Sequence, residues 1–319
     1  MLPSLVIATR QSPLALWQAE HVKTRLQALY PDCDIQLLPM TTEGDRRLEV
    51  ALANIGGKGL FIKELEHAMQ DGRAHLAVHS LKDVPMQLPD GFSLGAILER
   101  EDPRDVFVSH HYRHPRELPA GAKVGTSSPR RATQLQYHYP HIQIEILRGN
   151  VGTRLRKLKE GEFDAILLAA AGLQRLGLLD EQTCTLLSPE ESLPAVGQGA
   201  LAIECLAHNR EIIAMLHPLH HTHTALCVNA ERAFSQSLSG NCHMPIAAYA
   251  YLENNEHENS RLHIHGYVGH PSRNVIWQGS LDAPLNAFDE LNDASELGWL
   301  LGRRCQLETP WLDEMLALT

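Results

Sequence analysis

The chain has 319 residues, enough for two or three domains at roughly 100–200 residues each. Hydrophobic residues make up 44% and charged residues 21%, an ordinary globular composition that argues against extensive disorder. The formal net charge of −10 disfavours nonspecific binding to nucleic acid or anionic membranes, and no run approaches the ~20 apolar residues of a membrane-spanning helix.

The N-terminal apolar run Leu5–Ala8 is too short for the core of a signal peptide and leads straight into Arg10. The six cysteines, Cys33, Cys184, Cys205, Cys227, Cys242 and Cys305, show no C-x-x-C spacing. Without an export signal they read as reduced cytosolic thiols rather than a disulfide framework.

The first two-thirds alternates short apolar runs with amphipathic segments, the pattern of α/β architecture. Leu5–Thr9 reads as a strand, and Ser12-Pro13 marks the cap and first turn of a helix. Ile35–Met40 is a second strand, Leu60–Gln70 a helix stopped by Gly72, and Leu76–His79 a short strand. From Lys123 the order strand, polar turn, basic helix start recurs. Val124-Gly125 precedes Thr126-Ser127-Ser128-Pro129-Arg130-Arg131, and Ile142–Leu147 precedes Arg148-Gly149-Asn150-Val151-Gly152-Thr153-Arg154. Asp164–Ala169 is a buried strand leading to a helix that bears Arg175. After the Gly-punctuated connector Pro194–Gly199 the pattern changes. Leu262–Val268 reads as an exposed strand, Val275–Gly279 as its partner and Ala294–Arg304 as a closing helix, in a smaller α+β domain from about residue 222.

In open α/β sheets, ligands bind beyond the carboxyl ends of strands, where helix N-termini aim free N–H groups at anions. Between Lys123 and Lys159 eight basic residues face one acid, Glu145. A solvated helix face would explain such a run, but several of the arginines follow strands directly, which favours an anion site. Lys82 and Asp83 follow a strand end as well. They read equally as an exposed ion pair or as an acid set to answer positive charge on a ligand. The stretch Gly56-Gly57-Lys58-Gly59 lacks the spacing of a nucleotide-binding loop and reads as a flexible loop. The histidines 217, 220, 221 and 223 have no metal-ligand pattern around them, and no metal is expected. Cys242, on a turn between Gly240 and Pro245, reads on its own as an ordinary packing cysteine.

Taken together, the stretches 7–15, 56–64, 77–85, 99–105, 124–131, 147–154, 193–199 and the Cys242 turn resemble the porphobilinogen deaminase family over essentially the whole chain. The resemblance implies two domains like a type 2 periplasmic binding protein, hinged around a cleft, and a small α+β domain. Domain 1 would comprise 1–98 and 199–217 and carry Asp83. Domain 2 would be the arginine-rich 104–193, and domain 3, 222–319, would carry the cofactor cysteine.

The resemblance also implies a transferase of tetrapyrrole and haem biosynthesis, a cytoplasmic monomer with no membrane or nucleic-acid partner. Cys242 would hold a dipyrromethane cofactor through a thioether. Four porphobilinogen molecules would each lose ammonia and join the growing chain, which water then releases as hydroxymethylbilane. Asp83 would stabilise the cationic intermediate and move protons. Ser80, Lys82, Thr126, Ser128, Arg130, Arg131 and Arg148 would bind the cofactor. Arg10, Ser12, Arg148, Arg154 and Arg175 would hold substrate carboxylates, with Ser127 adding a hydrogen bond and the loop Gly56–Gly59 lying over the cleft. Three departures stand out: Asn54 where relatives often have lysine, Asn241 in place of glycine and Pro129 in place of leucine. Asn tolerates left-handed backbone, and proline is accepted at a first helical position. The competing readings are a noncatalytic two-lobed binding protein and a nucleic-acid binder using the basic island. The low aromatic content, 5%, speaks against the second.

Overall fold

The computed structural model describes residues 3–46, 62–239, 244–253, 261–284 and 291–317. The expected loop Gly56, Gly57, Lys58 and Gly59, together with Asn54, Asn241 and Cys242, lies outside the described residues.

The chain forms β1 (Ser4–Arg10), α1 (Pro13–Leu29), β2 (Asp34–Met40), α2 (Glu43–Arg46), α3 (Lys63–Gln70), β3 (Leu76–Ser80) and β4 (Phe92–Ile97). It continues through β5 (Asp105–Val108), β6 (Lys123–Gly125), α4 (Pro129–His138), β7 (Gln143–Glu145), α5 (Val151–Lys159), β8 (Ala165–Ala169), α6 (Ala170–Arg175) and β9 (Cys184–Leu186). There follow β10 (Leu201–Leu206), α7 (Arg210–Leu216), α8 (Thr222–Ser237), β11 (Ile246–Glu253), β12 (Arg261–Gly269), β13 (Ile276–Pro284), α9 (Leu291–Glu308) and α10 (Leu312–Ala317). Two compact units emerge. One joins Met1–Glu101, Arg175–Gly177 and Gly199–Ala225; the other joins Asp102–Gln174, Leu178–Gln198 and Leu226–Thr319.

The first unit is built on a five-stranded sheet in the order β2-β1-β3-β10-β4. β1 runs parallel to β2 and β3, while β10 runs antiparallel to β3 and β4. A sheet buried on both faces needs apolar side chains on both, and the strands supply them. One face packs Leu5, Ile7, Leu76, Val78 and Ile203 with Val22 and Leu26 of α1. The other packs Ala8 and Ala77 with Leu65, Ala68 and Met69 of α3. Each such large apolar side chain contributes about 1.5–3 kcal/mol when fully buried. Entry to β10 is made by Gly199 at φ +93°, where a Cβ would stand 2.4 Å from the carbonyl oxygen of Glu101. Only glycine combines that backbone with that approach.

The second unit repeats the plan in a sheet of order β7-β6-β8-β5-β9. β6 is parallel to β7 and β8, and β5 is antiparallel to β8 and β9. The same unit holds the antiparallel sheet β11-β12-β13. The architecture is therefore α/β with a small α+β part, as expected. The reading of Leu262–Val268 as an exposed strand is corrected: β12 lies between two partners, with Leu262, Ile264 and Val268 buried. α9 runs further at both ends than expected, and it is followed by a further short helix, α10.

One buried carboxylate organises the second unit. Asp105, at the start of β5, is 0% exposed. Its Oδ2 accepts from Arg130 Nη1 at 2.7 Å and Ser192 Oγ at 2.7 Å. Its Oδ1 accepts from Arg131 Nη2 at 2.7 Å and Gln198 Nε2 at 2.9 Å. Burial alone would raise the Asp105 carboxyl, but the two guanidiniums overcome it and hold the group well below the usual carboxylate range. Removing one partner from a buried ion pair leaves an uncompensated charge. Asp105→Ala is therefore expected to lower the free energy of unfolding by about 3–5 kcal/mol, read as a fall in the denaturation midpoint. An unchanged midpoint would show that the arginines find other acceptors.

Candidate functional site

In the first unit the ends of β1 and β3 carry the polar residues. Ser12 caps α1, its Oγ accepting from Ala15 N at 3.3 Å, and Pro13 begins the helix. β3 ends at Ser80 and passes into a 3₁₀ turn, Leu81–Asp83. A small open hollow between these ends is lined by Arg10, Ser12, Gln18, His79, Ser80 and Asp83, with Ile62 as an apolar wall. Asp83 is exposed there, Leu81 beneath it buried. Gln18, buried on α1, donates from Nε2 to Ser80 Oγ at 2.8 Å and thereby ties the helix to the strand end. On the next residue back, His79 Nε2 is 2.9 Å from Glu204 Oε2 of β10. Thus Arg10, Ser12, Ser80 and Asp83 come together, while Lys82 stands partly exposed in the turn beside them.

Arg175 belongs to this unit too, but it is largely buried. Its Nη2 donates to the Gly199 carbonyl at 2.7 Å and its guanidinium lies 5.8 Å from the ring centre of Trp17. Burial lowers its pKa to about 10, partly opposed by Glu101.

In the second unit the parallel pairing of Gly125 with Glu145 sets two loops side by side. Thr126 N donates to the Glu145 carbonyl at 2.9 Å, and Ser127 Oγ donates to the Leu147 carbonyl. Ser128 caps α4, accepting from Arg131 N, with Pro129 in the first turn as expected. Asn150 caps α5, accepting from Thr153 N at 2.9 Å. Gly149 precedes that cap at φ +114°, where a Cβ would meet the Thr153 side chain at 2.7 Å. Arg154 Nε donates back to the Gly149 carbonyl at 2.8 Å. Two capped helix starts with their free N–H groups, and the partly exposed Arg148 and Arg154, stand in this part of the unit.

The basic island divides. Lys123 pairs with Glu145 at 3.0 Å, Arg156 with Glu160 at 2.9 Å and Lys157 with Glu162 at 3.9 Å, an ordinary solvated surface. Arg130 and Arg131 turn inward to Asp105 and also donate to the carbonyls of Leu193 and Leu167. Nε of Arg130 is buried without a hydrogen-bond partner, as is Nε of Arg175. Two arginines against one aspartate leave an excess positive charge. With nearby hydroxyls and helix N-termini, that donor set fits a ligand bearing several carboxylates, as dipyrromethane does.

Sequence reasoning missed Gln18, Asp105, Gln198 and the His79–Glu204 pair. Glu204 did carry a signal, since a single acid inside the apolar run Leu201–Leu206 is costly unless partnered. The histidines near 220 serve locally. Ile97 N donates to His220 Nδ1 at 3.3 Å, and His221 Nδ1 is 2.8 Å from Thr224 Oγ1. Among the described residues no group of His, Cys, Asp and Glu is arranged to hold a metal, and no helix is long and apolar enough to cross a membrane.

Fold and site thus define an α/β protein in which both units end strands in capped helix starts, with an exposed aspartate in the first and partly exposed arginines in the second. The sequence matches two family descriptions, "Porphobilinogen deaminase, dipyromethane cofactor binding domain" over residues 5–214 and "Porphobilinogen deaminase, C-terminal domain" over 225–305. The chain belongs to the porphobilinogen deaminase family. It is similar to the porphobilinogen deaminase of Chromobacterium violaceum, 54% identical over 92% of this chain and 93% of that one. The porphobilinogen deaminase of Neisseria meningitidis serogroup A is 54% identical over 91% of each. Among solved structures, the periplasmic aliphatic sulphonate binding protein of Escherichia coli matches at TM-score 0.40 and 13% identity, covering 75% of this chain and 71% of that one.

The caps hold the helix starts that make this surface. Asn150→Ala is expected to destabilise the protein by about 1 kcal/mol in denaturant unfolding, with Asn150→Asp retaining most of the stability. Equal loss in both variants would mean that the cap is not what Asn150 contributes.

Proposed function

We propose that the protein is a hydroxymethylbilane synthase: it condenses four porphobilinogen molecules head to tail, with loss of ammonia, on a dipyrromethane held by Cys242. The observation that carries this reading is the family match across both 5–214 and 225–305, with Asp83, Arg10, Ser12 and Ser80 gathered in one hollow. When bound, the dipyrromethane supplies the nucleophilic pyrrole carbon to which the first unit is joined.

The chain's own residues would do the rest. Thr126, Ser128, Arg130, Arg131 and Arg148, with Ser80 and Lys82, hold the cofactor's carboxylates and pyrrole groups. Arg10, Ser12, Arg148, Arg154 and Arg175 neutralise the acetates and propionates of incoming substrate. Arg130 and Arg131 are the least accessible arginines of these, so their part is chiefly to set a positive field behind the helix start. Asp83 offers a carboxylate to positive charge that develops as ammonia leaves, and it accepts the proton released when the new carbon–carbon bond forms. The loop Gly56–Gly59 would cover the bound substrate. Three domains, 1–98 with 199–217, 104–193 and 222–319, are the division we favour. A cytoplasmic monomer needing no membrane or nucleic-acid partner accords with the net charge of −10.

The test is the intact mass of the purified protein beside that of Cys242→Ser. Wild type should exceed its sequence mass by a two-pyrrole adduct that the variant lacks. An unmodified wild type that gains no adduct from added porphobilinogen would overturn the enzyme reading. Asp83→Asn is expected to keep the adduct and lose at least about a hundredfold in turnover, the scale of a lost acid–base group. A near-normal rate would remove Asp83 from the chemistry.

A further inference from the structure

Behind the Asp83 hollow, a buried His–Glu pair and a third buried carboxyl share an otherwise apolar layer. His79 on β3 and Glu204 on β10 lie 2.9 Å apart with side chains 5% and 0% exposed. They stand on the face of the sheet that carries Ala77, Ala8 and α3. Glu204 keeps its other oxygen, Oε1, buried without a hydrogen-bond partner. From α3, Glu66 is buried at 7% exposure, and the charges acting on it are Glu204 from β10, His79 from β3 and Lys63 from its own helix. β1, also packed against α3, offers apolar Val6 and Ala8 in this layer. None of the three groups has a part in the reaction described above, yet His79 lines the same hollow as Asp83 and directly precedes Ser80.

A His–Glu pair and a second carboxyl in a buried layer are costly, and a structural role alone would be served as well by apolar residues. We propose that Glu66, Glu204 and His79 form a positioning cluster that tunes the charge behind Asp83 and so sets the pH range in which the first unit supports turnover. The inference rests on the deaminase reading, because that reaction develops positive charge at the site. A further buried negative charge nearby then favours the cationic transition state through a low-dielectric medium. Burial first, and Glu204 second, push the Glu66 carboxyl up to about 7, with His79 and Lys63 opposing. Glu66 therefore gains a negative charge as pH rises through neutrality, and the rate should rise with it.

The same ionisation acts on stability in the opposite sense. A carboxyl with a raised folded-state pKa binds its proton more tightly when folded, so its contribution falls as pH rises from about 4.5 to 7.

The experiment compares cofactor-loaded wild type, Glu66→Gln and Glu204→Gln on porphobilinogen between pH 6 and 9, with melting temperature followed over the same range and down to pH 4.5. Wild-type kcat should rise through about pH 7, and Glu66→Gln should lose that rise, leaving it about five- to tenfold below wild type at pH 8. Glu204→Gln keeps an acceptor for His79 but removes the neighbouring charge, so its rise should move to lower pH. Glu66→Gln should also flatten the fall of melting temperature between pH 4.5 and 7, a readout independent of turnover. Rate profiles of both variants that overlay wild type, or an unaltered melting profile in Glu66→Gln, would overturn the proposal. Should Glu204→Gln fail to fold, Glu66→Gln decides alone. A wild type with neither adduct nor turnover would instead defeat the deaminase reading, leaving the melting profile to report whether Glu66 titrates.

Discussion

The Asp105 carboxylate is the constraint on which the second unit depends. It accepts from four residues at three separate places in the sequence: Arg130 and Arg131 on α4, Ser192 and Gln198. Because each donor loses its water on burial, the carboxylate cannot be replaced by half of its partners. Loss of one partner would leave the others with a buried, unanswered charge. From the head of β5 it holds the first turn of α4, and with it the Ser128 cap, in place.

A second buried acid treats the connector in the same way. Glu231 of α8, 0% exposed, accepts from Gly197 N at 2.7 Å and from Ala250 N at 2.9 Å, so one carboxylate fastens the connector to β11. Main-chain N–H groups of a glycine-rich segment need acceptors once they are withdrawn from water. Glu231 supplies one to Gly197 N, whereas Asp105 takes the connector by a side chain, that of Gln198. The connector is thus specified by charge and hydrogen bonding, whereas the two larger sheets are specified by apolar burial.

The candidate site follows from the same economy of polar groups. Helix starts leave N–H groups that must be satisfied, and Ser12, Ser128 and Asn150 each answer one of them. Gly149 and the parallel register of β6 with β7 bring two such starts side by side. The exposed acid–base pairs on α5 lie apart from this, which is why a count of basic residues alone overstates the size of the anion site.

Much of this was legible from residue order. The strand runs, the Ser12-Pro13 and Ser128-Pro129 helix starts, the polar turns after Gly125 and Leu147 and the motifs of the family are all local signals, written within a few residues by periodicity and capping chemistry. The partner of each buried charge was not. Asp105 and Arg130 are 25 residues apart, and His79 and Glu204 are 125 apart. Nothing in either local stretch names the other. Whether an arginine faces solvent, a ligand or an aspartate is decided by which strands become neighbours, and β10 becomes the neighbour of β3 only after the chain has passed through the second unit. The sequence by itself determined many of the elements, the capped starts of α1 and α4, and the family. The tertiary structure decided which charges are spent inside the protein, because Coulombic and hydrogen-bond partners are chosen by distance in space rather than along the chain.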